Sequence, residues 1–186
     1  MASTLDQRFL TLPHTDDTRL WTTRPETPSD IAAVHAVNAA AFETRAEADL
    51  VDALRQDPAA WLPGLSFVAE AADGSVAAHA LLTRCLVGGA PALALAPVAT
   101  APEWQRRGAG QAVVRAALDA ARARAESLVL VLGHPGYYPR FGFVPASRYG
   151  IRPGFEVPDE AMMALVLDDS GPVPRGTIHY PAAFGV

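Results

Sequence analysis

The chain has a single cysteine, no lysine and no long uninterrupted apolar run, and each absence narrows what it can be. Cys85 alone can neither close an internal disulfide nor build a thiolate metal site. The sequence therefore reads as a protein of a reducing compartment, with the cytoplasm expected and no metal. Behind Met1-Ala2-Ser3 there is no apolar core, so no secretory leader is expected. The most apolar region, near 76–98, is interrupted by His79, Arg84 and Gly88-Gly89, the wrong pattern for a membrane span. A net charge of −5 lacks the basic footprint that nucleic acid or an anionic membrane requires, so neither is an expected partner. The all-arginine cation set is a compositional bias of the kind a GC-rich bacterial genome produces.

What is present is enough apolar residue for one full core. At 186 residues, half of them hydrophobic, the chain suits one domain over 1–186, with about 1–20 as a tail or packed edge segment. Trp21 to Pro25 reads as a first strand. Pro28-Ser29-Asp30 signals a helix start, followed by Ile31, Val34, Val37 and Asn38 at helical spacing. A second helix is expected over about Arg45 to Gln56 with a stripe of Leu50, Val51 and Leu54, ended by Asp57-Pro58. Leu65 to Ala71 and Val76 to Thr83 flank Asp73-Gly74 as a hairpin, and Ala90 to Thr100 continues the meander. From Gly110 to about Arg124 the period turns helical, with Val114, Leu118, Ala121 and Ala125 on one face. Leu128 to Leu132 is a fully apolar strand suited to a sheet centre, Ala161 to Leu167 another strand, and Thr177 to Tyr180 a weaker one. Together these describe a mixed α/β (α+β) fold, a central mixed sheet with helices on both faces.

The most informative segment is Gln105-Arg106-Arg107-Gly108-Ala109-Gly110, set between the apolar run 92–100 and the Ala-rich helix. A strand passing through a glycine turn into a helix offers unpaired N–H groups and the positive end of a helix dipole to an anion. Gly108 and Gly110 lack a Cβ that would obstruct a pyrophosphate, and Arg106 and Arg107 add charge; the bland alternative is an ordinary turn before an amphipathic helix. The chain has neither a G-x-x-x-x-G-K-[ST] loop nor the third glycine of G-x-G-x-x-G, so both common nucleotide loops are set aside.

Val98 to Gly110 resembles the acetyl-CoA-binding motif of the GNAT superfamily of N-acetyltransferases, roughly apolar-x-V-x-P-x-x-Q/R-x-x-G-x-G/A. Tyr138-Pro139-Arg140-Phe141-Gly142-Phe143 resembles that family's Y-x-x-x-G-F segment. Residues 95–145, with the closing Gly176 to Phe184, are similar to a bacterial branch of small stand-alone members. The resemblance implies a mostly antiparallel twisted sheet whose central strands splay into a V-shaped CoA cleft. It also implies acetyl-CoA as donor, backbone groups of Val98, Ala99 and Thr100 pairing with the pantetheine arm, and amides of Arg106, Arg107, Gly108, Ala109, Gly110 and Gln111 holding the pyrophosphate. The implied activity is direct, ternary-complex transfer to a primary amine, by a monomer or homodimer; a CoA-binding regulatory module and a longer-chain acyltransferase are the alternatives. With no lysine, the chain cannot acetylate its own lysine side chains.

Tyr138 stands where the family's tyrosine approaches the CoA sulfur, and a phenol is a suitable proton donor to a departing thiolate; Tyr137 is its competitor. No carboxylate lies on 93–98, where many members carry a Glu. The base is then Glu43, Glu70, His79, His134 or a water chain. Trp61, Phe67 and Phe143 read as core and Cys85 as a buried small residue. The loops at 150–158 and 170–172 are placed by the resemblance near the acceptor site.

Overall fold

The computed structural model describes residues 21–186; the expectation for 1–20 lies outside them. Strands β1 (Thr22–Pro25), β2 (Trp61–Glu70), β3 (Val76–Val87), β4 (Ala90–Thr100), β5 (Leu128–Leu132), β6 (Val144–Pro145), β7 (Ile151–Arg152), β8 (Met162–Val166) and β9 (Gly176–His179) accompany helices α1 (Ile31–Ala41), α2 (Ala46–Arg55) and α3 (Ala109–Ala123). The main path runs β1-β2-β3-β4-β5-β8-β6, with β9 joining β3 and β7. Every neighbour on that path is antiparallel except β4 and β5.

Strand alternation sorts the core into two faces. Phe67, Ala69, Ala80, Leu82, Val129 and Val131 point to the face covered by Val113, Ala117, Leu118 and Ala121 of α3. Val68 and Leu81 point the other way and pack with Val34, Val51 and Leu54 of α1 and α2. Further along that second face, Cys85, Ala94, Leu128 and Leu130 are covered by Ala146, Ile151 and Ile178 from the C-terminal part of the chain. Helices do lie on both faces.

α1 starts where the sequence signals it. Asp30 Oδ2 accepts from the Thr27 amide (2.8 Å) and hydroxyl (2.7 Å), with Pro28 in the first turn. Arg24 lies 2.6 Å from Asp30, and its hydrogen bond holds that carboxyl well below the usual range.

Four local expectations need correction. β2 begins at Trp61 rather than Leu65, because Pro63 and Gly64 sit in a register shift between Trp61 and Ser66, where no ladder bond is required of them. β3 extends to Val87, past Thr83, because its last residues pair with β9. Ala125 is not on the α3 stripe: the helix ends at Ala123 and Ala125 turns at φ 55° into an exposed position. Trp61 is half-buried, with the Arg55 guanidinium 5.1 Å from its ring centre. Phe67 and Phe143 are buried as expected, and so is Cys85, whose thiol burial pushes up to about 12.

One polar chain crosses the α1/α2 face. His79 is fully buried, with Asn38 Nδ2 3.0 Å from its Nδ1 and Ser66 Oγ 2.9 Å from its Nε2; Ser66 in turn donates to Glu26, which pairs with Arg55 at 2.6 Å. The Asn38 amide donates to the ring and Ser66 needs its own proton for Glu26, so Nδ1 accepts and Nε2–H donates: a neutral imidazole. Burial pushes its pKa down to about 3. The unfolded chain therefore binds a proton below about pH 6.5 that the folded chain refuses until about pH 3, so stability falls as pH drops through that window and is fully restored above it. The slope from this one group is at most about 1.4 kcal/mol per pH unit. Urea midpoints between pH 5 and 7.5 are expected to rise with pH more steeply in the parent than in His79→Gln. Equal slopes would show that His79 does not refuse the proton.

Candidate active site

The site begins where β4 parts from β5. The two parallel strands pair only at Leu93–Val129 and Ala94–Leu130, while β4 runs on to Thr100. The cause lies on the other side of β4: Val98 faces Ala80 and Leu95 faces Leu82, leaving Ala96 and Pro97 as a bulge opposite Leu81. A bulge bends its strand and adds twist, so 95–100 turn away from β5 and keep that edge unpaired.

A cavity of about 940 Å³ fills the opening. One wall is Val98 and Thr100 of β4, then Gln105 to Gly108, Gly110 and Gln111; the other is His134, Tyr137, Tyr138 and Arg140 after β5. α3 enters through Gly108 at φ 89°, a left-handed position that suits glycine, and no side chain caps it. Since the first intrahelical bond is Ala112 N–H to Gly108 O (2.9 Å), the Ala109, Gly110 and Gln111 amides have no helical acceptor.

Gly110 also faces protein atoms. It lies inside α3 without a positive φ, and a Cβ there would stand 2.9 Å from Thr100 Oγ1 and 3.3 Å from the Tyr137 hydroxyl. Its absent side chain lets Thr100 and Tyr137 approach α3 this closely. The loop before α3 is braced: Trp21 Nε1 donates to Arg107 O (2.8 Å), Trp21 meets Trp104 edge-on at 5.5 Å, and the Arg107 guanidinium lies 5.4 Å from the Trp104 ring centre. Arg106 itself sits at φ 58°. Ala99 and Ala109 are buried and offer backbone only.

Tyr138 is buried and lines both this cavity and a second one of about 470 Å³ beside Ala96 and Pro97. Burial, reinforced by Tyr137, pushes its phenol up to about 12, so it keeps its proton at neutral pH. Tyr137 packs perpendicular to it at 5.0 Å and lines only the first cavity. Gly133, which the sequence reading passed over, makes room for the Tyr138 ring: a Cβ there would lie 2.3 Å from Cε2. Its position directly after the apolar strand was the available signal. Arg140 was also missed as a lining residue; it bonds Tyr137 O at 2.8 Å and sits 4.6 Å from the Tyr137 ring centre.

The four residues considered as base separate clearly. His79 is sealed under α1, and Glu70 is 2.6 Å from Arg24 at the β1–β2 edge. Glu43 is exposed and lines neither cavity. His134 lines both. Of the two loops expected beside the acceptor, 150–158 contributes Phe155 to the second cavity, whereas 170–172 line a separate hollow of about 160 Å³. Among the described residues no group of three or more His, Cys, Asp or Glu is placed to hold a metal, and no helix is long and apolar enough to cross a membrane.

An antiparallel sheet with one splayed parallel pair and a helix N-terminus beside the splay is a specific combination. The profile of the Acetyltransferase (GNAT) family matches residues 31–143, which contain the bulge, the loop and Tyr138. The chain belongs to this family. The GNAT fold expectation therefore holds, a mixed sheet that is mostly antiparallel as the resemblance implies. The uncharacterized N-acetyltransferase YjhQ of Escherichia coli K12 is 37% identical over 137 residues, 71% of this chain and 75% of that protein. The uncharacterized N-acetyltransferase YhbS of the same strain is 31% identical over 138 residues, 72% and 81%. The crystal structure of E. coli YhbS in complex with CoA superposes with a TM-score of 0.81 at 27% identity, covering 89% of this chain and 92% of that one. A GNAT family acetyltransferase from Brucella melitensis in complex with acetyl-CoA gives 0.72 at 32% identity, covering 88% and 97%.

Proposed function

We propose that this GNAT domain, acting as a single unit over 1–186, moves an acetyl group from acetyl-CoA to a primary amine by direct attack in a ternary complex. The observation that carries the reading is the position of Tyr138 on the boundary of two cavities, one with a free strand edge and uncapped helix amides, the other beside Ala96 and Pro97. Pantetheine carries amides that can pair with the open edge at Val98 to Thr100, as an added strand would. The pyrophosphate then meets the amides from Arg106 to Gln111, next to the Arg106 and Arg107 charges. The crystal structures of YhbS with CoA and of the Brucella protein with acetyl-CoA support the same donor here.

In the reaction the amine lone pair attacks the thioester carbonyl carbon. The C–N bond forms, the C–S bond breaks, and the thiolate takes the Tyr138 proton to leave as CoA thiol. The proton lost by the amine passes through ordered water past His134 to solvent, and Tyr138 is reprotonated from the same source. Purified protein with acetyl-CoA and a panel of amines is expected to release free thiol only when an acceptor is present. Absence of acceptor-dependent release across the panel would refute the transfer.

Because an amine of pKa near 10 must be neutral to attack, kcat/KM is expected to rise with pH. Glu43→Gln, Glu70→Gln and His79→Gln are expected to keep the parent profile. His134→Gln should lose about tenfold without abolishing turnover, since water substitutes in part. A single variant that removes both activity and the pH response, while retaining fold and CoA binding, would instead identify a dedicated base.

A further inference from the structure

Glu47 lies in the first turn of α2, a position with no part in the donor site. It lines the second cavity, and its Oε2 is buried with no hydrogen-bond partner. A carboxylate oxygen cut off from water and left unpaired is strongly unfavourable, and it is relieved when a bound cation donates to it. Glu47 is the sole acidic side chain among the residues lining this cavity. Apart from His134, the residues around it are apolar or aromatic and include Leu50, Leu95 and Leu132. Phe155, Tyr180 and Phe184 form a series of rings in the lining, with centres 6.4 Å and 5.1 Å apart along it.

We propose that Glu47 recognises the acceptor's ammonium, and that the acceptor is a primary monoamine whose remaining body is apolar, aromatic or branched aliphatic, with no second charge. This rests on the acetyl-transfer reading above. An amine of pKa near 10 arrives protonated at neutral pH, and the one carboxylate of half-buried Glu47 balances one ammonium. A second ammonium would find no further acidic side chain in this lining, and a carboxylate as in an α-amino acid would lie beside Glu47 among leucine and aromatic side chains. The same cavity does not suit a long acyl chain, which would leave the Glu47 oxygen unpaired. The aromatic faces suit a flat or branched hydrocarbon body and attract the cation as it enters. Transfer then removes the very charge that held the substrate. The new C–N bond leaves a neutral amide, the ammonium proton having gone to solvent, so product has lost its ion pair with Glu47 and departs.

The test uses the purified full chain with acetyl-CoA and three acceptors: 2-phenylethylamine, spermidine and leucine. Thiol release is expected to be fastest with 2-phenylethylamine. Glu47→Gln should raise its KM by at least about tenfold at pH 7, and by progressively less toward pH 9.5 as the amine becomes neutral, with acetyl-CoA affinity unchanged. A merely structural role for Glu47 would not make the KM ratio depend on the ionisation of the amine. Glu47→Asp, which keeps the charge and shortens its reach, is expected to fall between parent and Gln variant, and it decides the matter should the Gln variant not fold. Parent KM in Glu47→Gln, a preference for spermidine or leucine, or a preference for octanoyl-CoA over acetyl-CoA would each overturn the assignment. Calorimetry of 2-phenylethylamine on the CoA-loaded protein separates the two claims. Binding that weakens tenfold in Glu47→Gln, with no thiol release from any amine, overturns acetyl transfer and upholds the ammonium site; thiol release without such binding overturns the ammonium site alone.

Discussion

Replacing Gly108 and Gly110 together with valine is expected to lower CoA affinity by about a hundredfold, the equivalent of two lost hydrogen bonds to a charged phosphate. The two substitutions act by different routes. Valine at 108 is strained at φ 89°, so the turn into α3 shifts and its free amides lose their aim. At 110 the new Cβ crowds Thr100 Oγ1, 2.9 Å away, and the Tyr137 hydroxyl, 3.3 Å away, and displaces both from their places in the cleft lining. Most of the core beneath α3, from Val113 through Ala117 and Leu118 to Ala121, lies C-terminal to both changes, so the fold is expected to survive. Calorimetric titration of a well-folded double variant checks this; unchanged affinity would remove the α3 entrance as the pyrophosphate site.

Tyr138→Phe is expected to lower turnover by about a hundredfold while acetyl-CoA binding stays close to the parent value. The ring keeps its place against Gly133 and Phe143, and only the proton donor is lost. With the phenol pushed up to about 12 by burial, it remains protonated from acid to mildly alkaline pH. The pH profile of the parent between 6 and 9 should then follow the amine and not the tyrosine. Tyr137→Phe is the control, since Tyr137 lines the donor cavity alone. Single-turnover rates for both variants with one acceptor decide between them; an impaired Tyr137→Phe beside an intact Tyr138→Phe would reverse the assignment.

Much of this arrangement was legible because it is local. The meander of β3 and β4, the apolar run of β5 and the period of α3 each lie within one segment, and the Arg106 to Gly110 loop suggests an anion site, or an ordinary turn, from one short stretch. The base candidates were not legible in the same way. His79 and Glu70 look alike as polar residues on strands, and only the pairing of Val68 with His79, together with the face that α1 covers, shows that the imidazole is sealed against Asn38 and away from the cleft. Glu47 was invisible for the converse reason. On the sequence it is one of several acids in a polar helix turn, and it acquires meaning only when β9 pairs with β3 at Leu86–His179 and Val87–Ile178, bringing Tyr180 and Phe184 over α2. Pro63 and Gly64 are residues that normally end a strand, whereas here a register shift absorbs them.

The central claim is that acetyl-CoA occupies the splay between β4 and β5 and uses main-chain groups there. Amide hydrogen exchange with and without saturating CoA tests it most directly, since it reads those groups without depending on the acceptor. Slowed exchange concentrated in 98–100 and 106–111, with β1 and β2 unchanged, is the expected result. CoA binding that leaves both segments at their free-protein rates, or protects another face of the sheet instead, would contradict it.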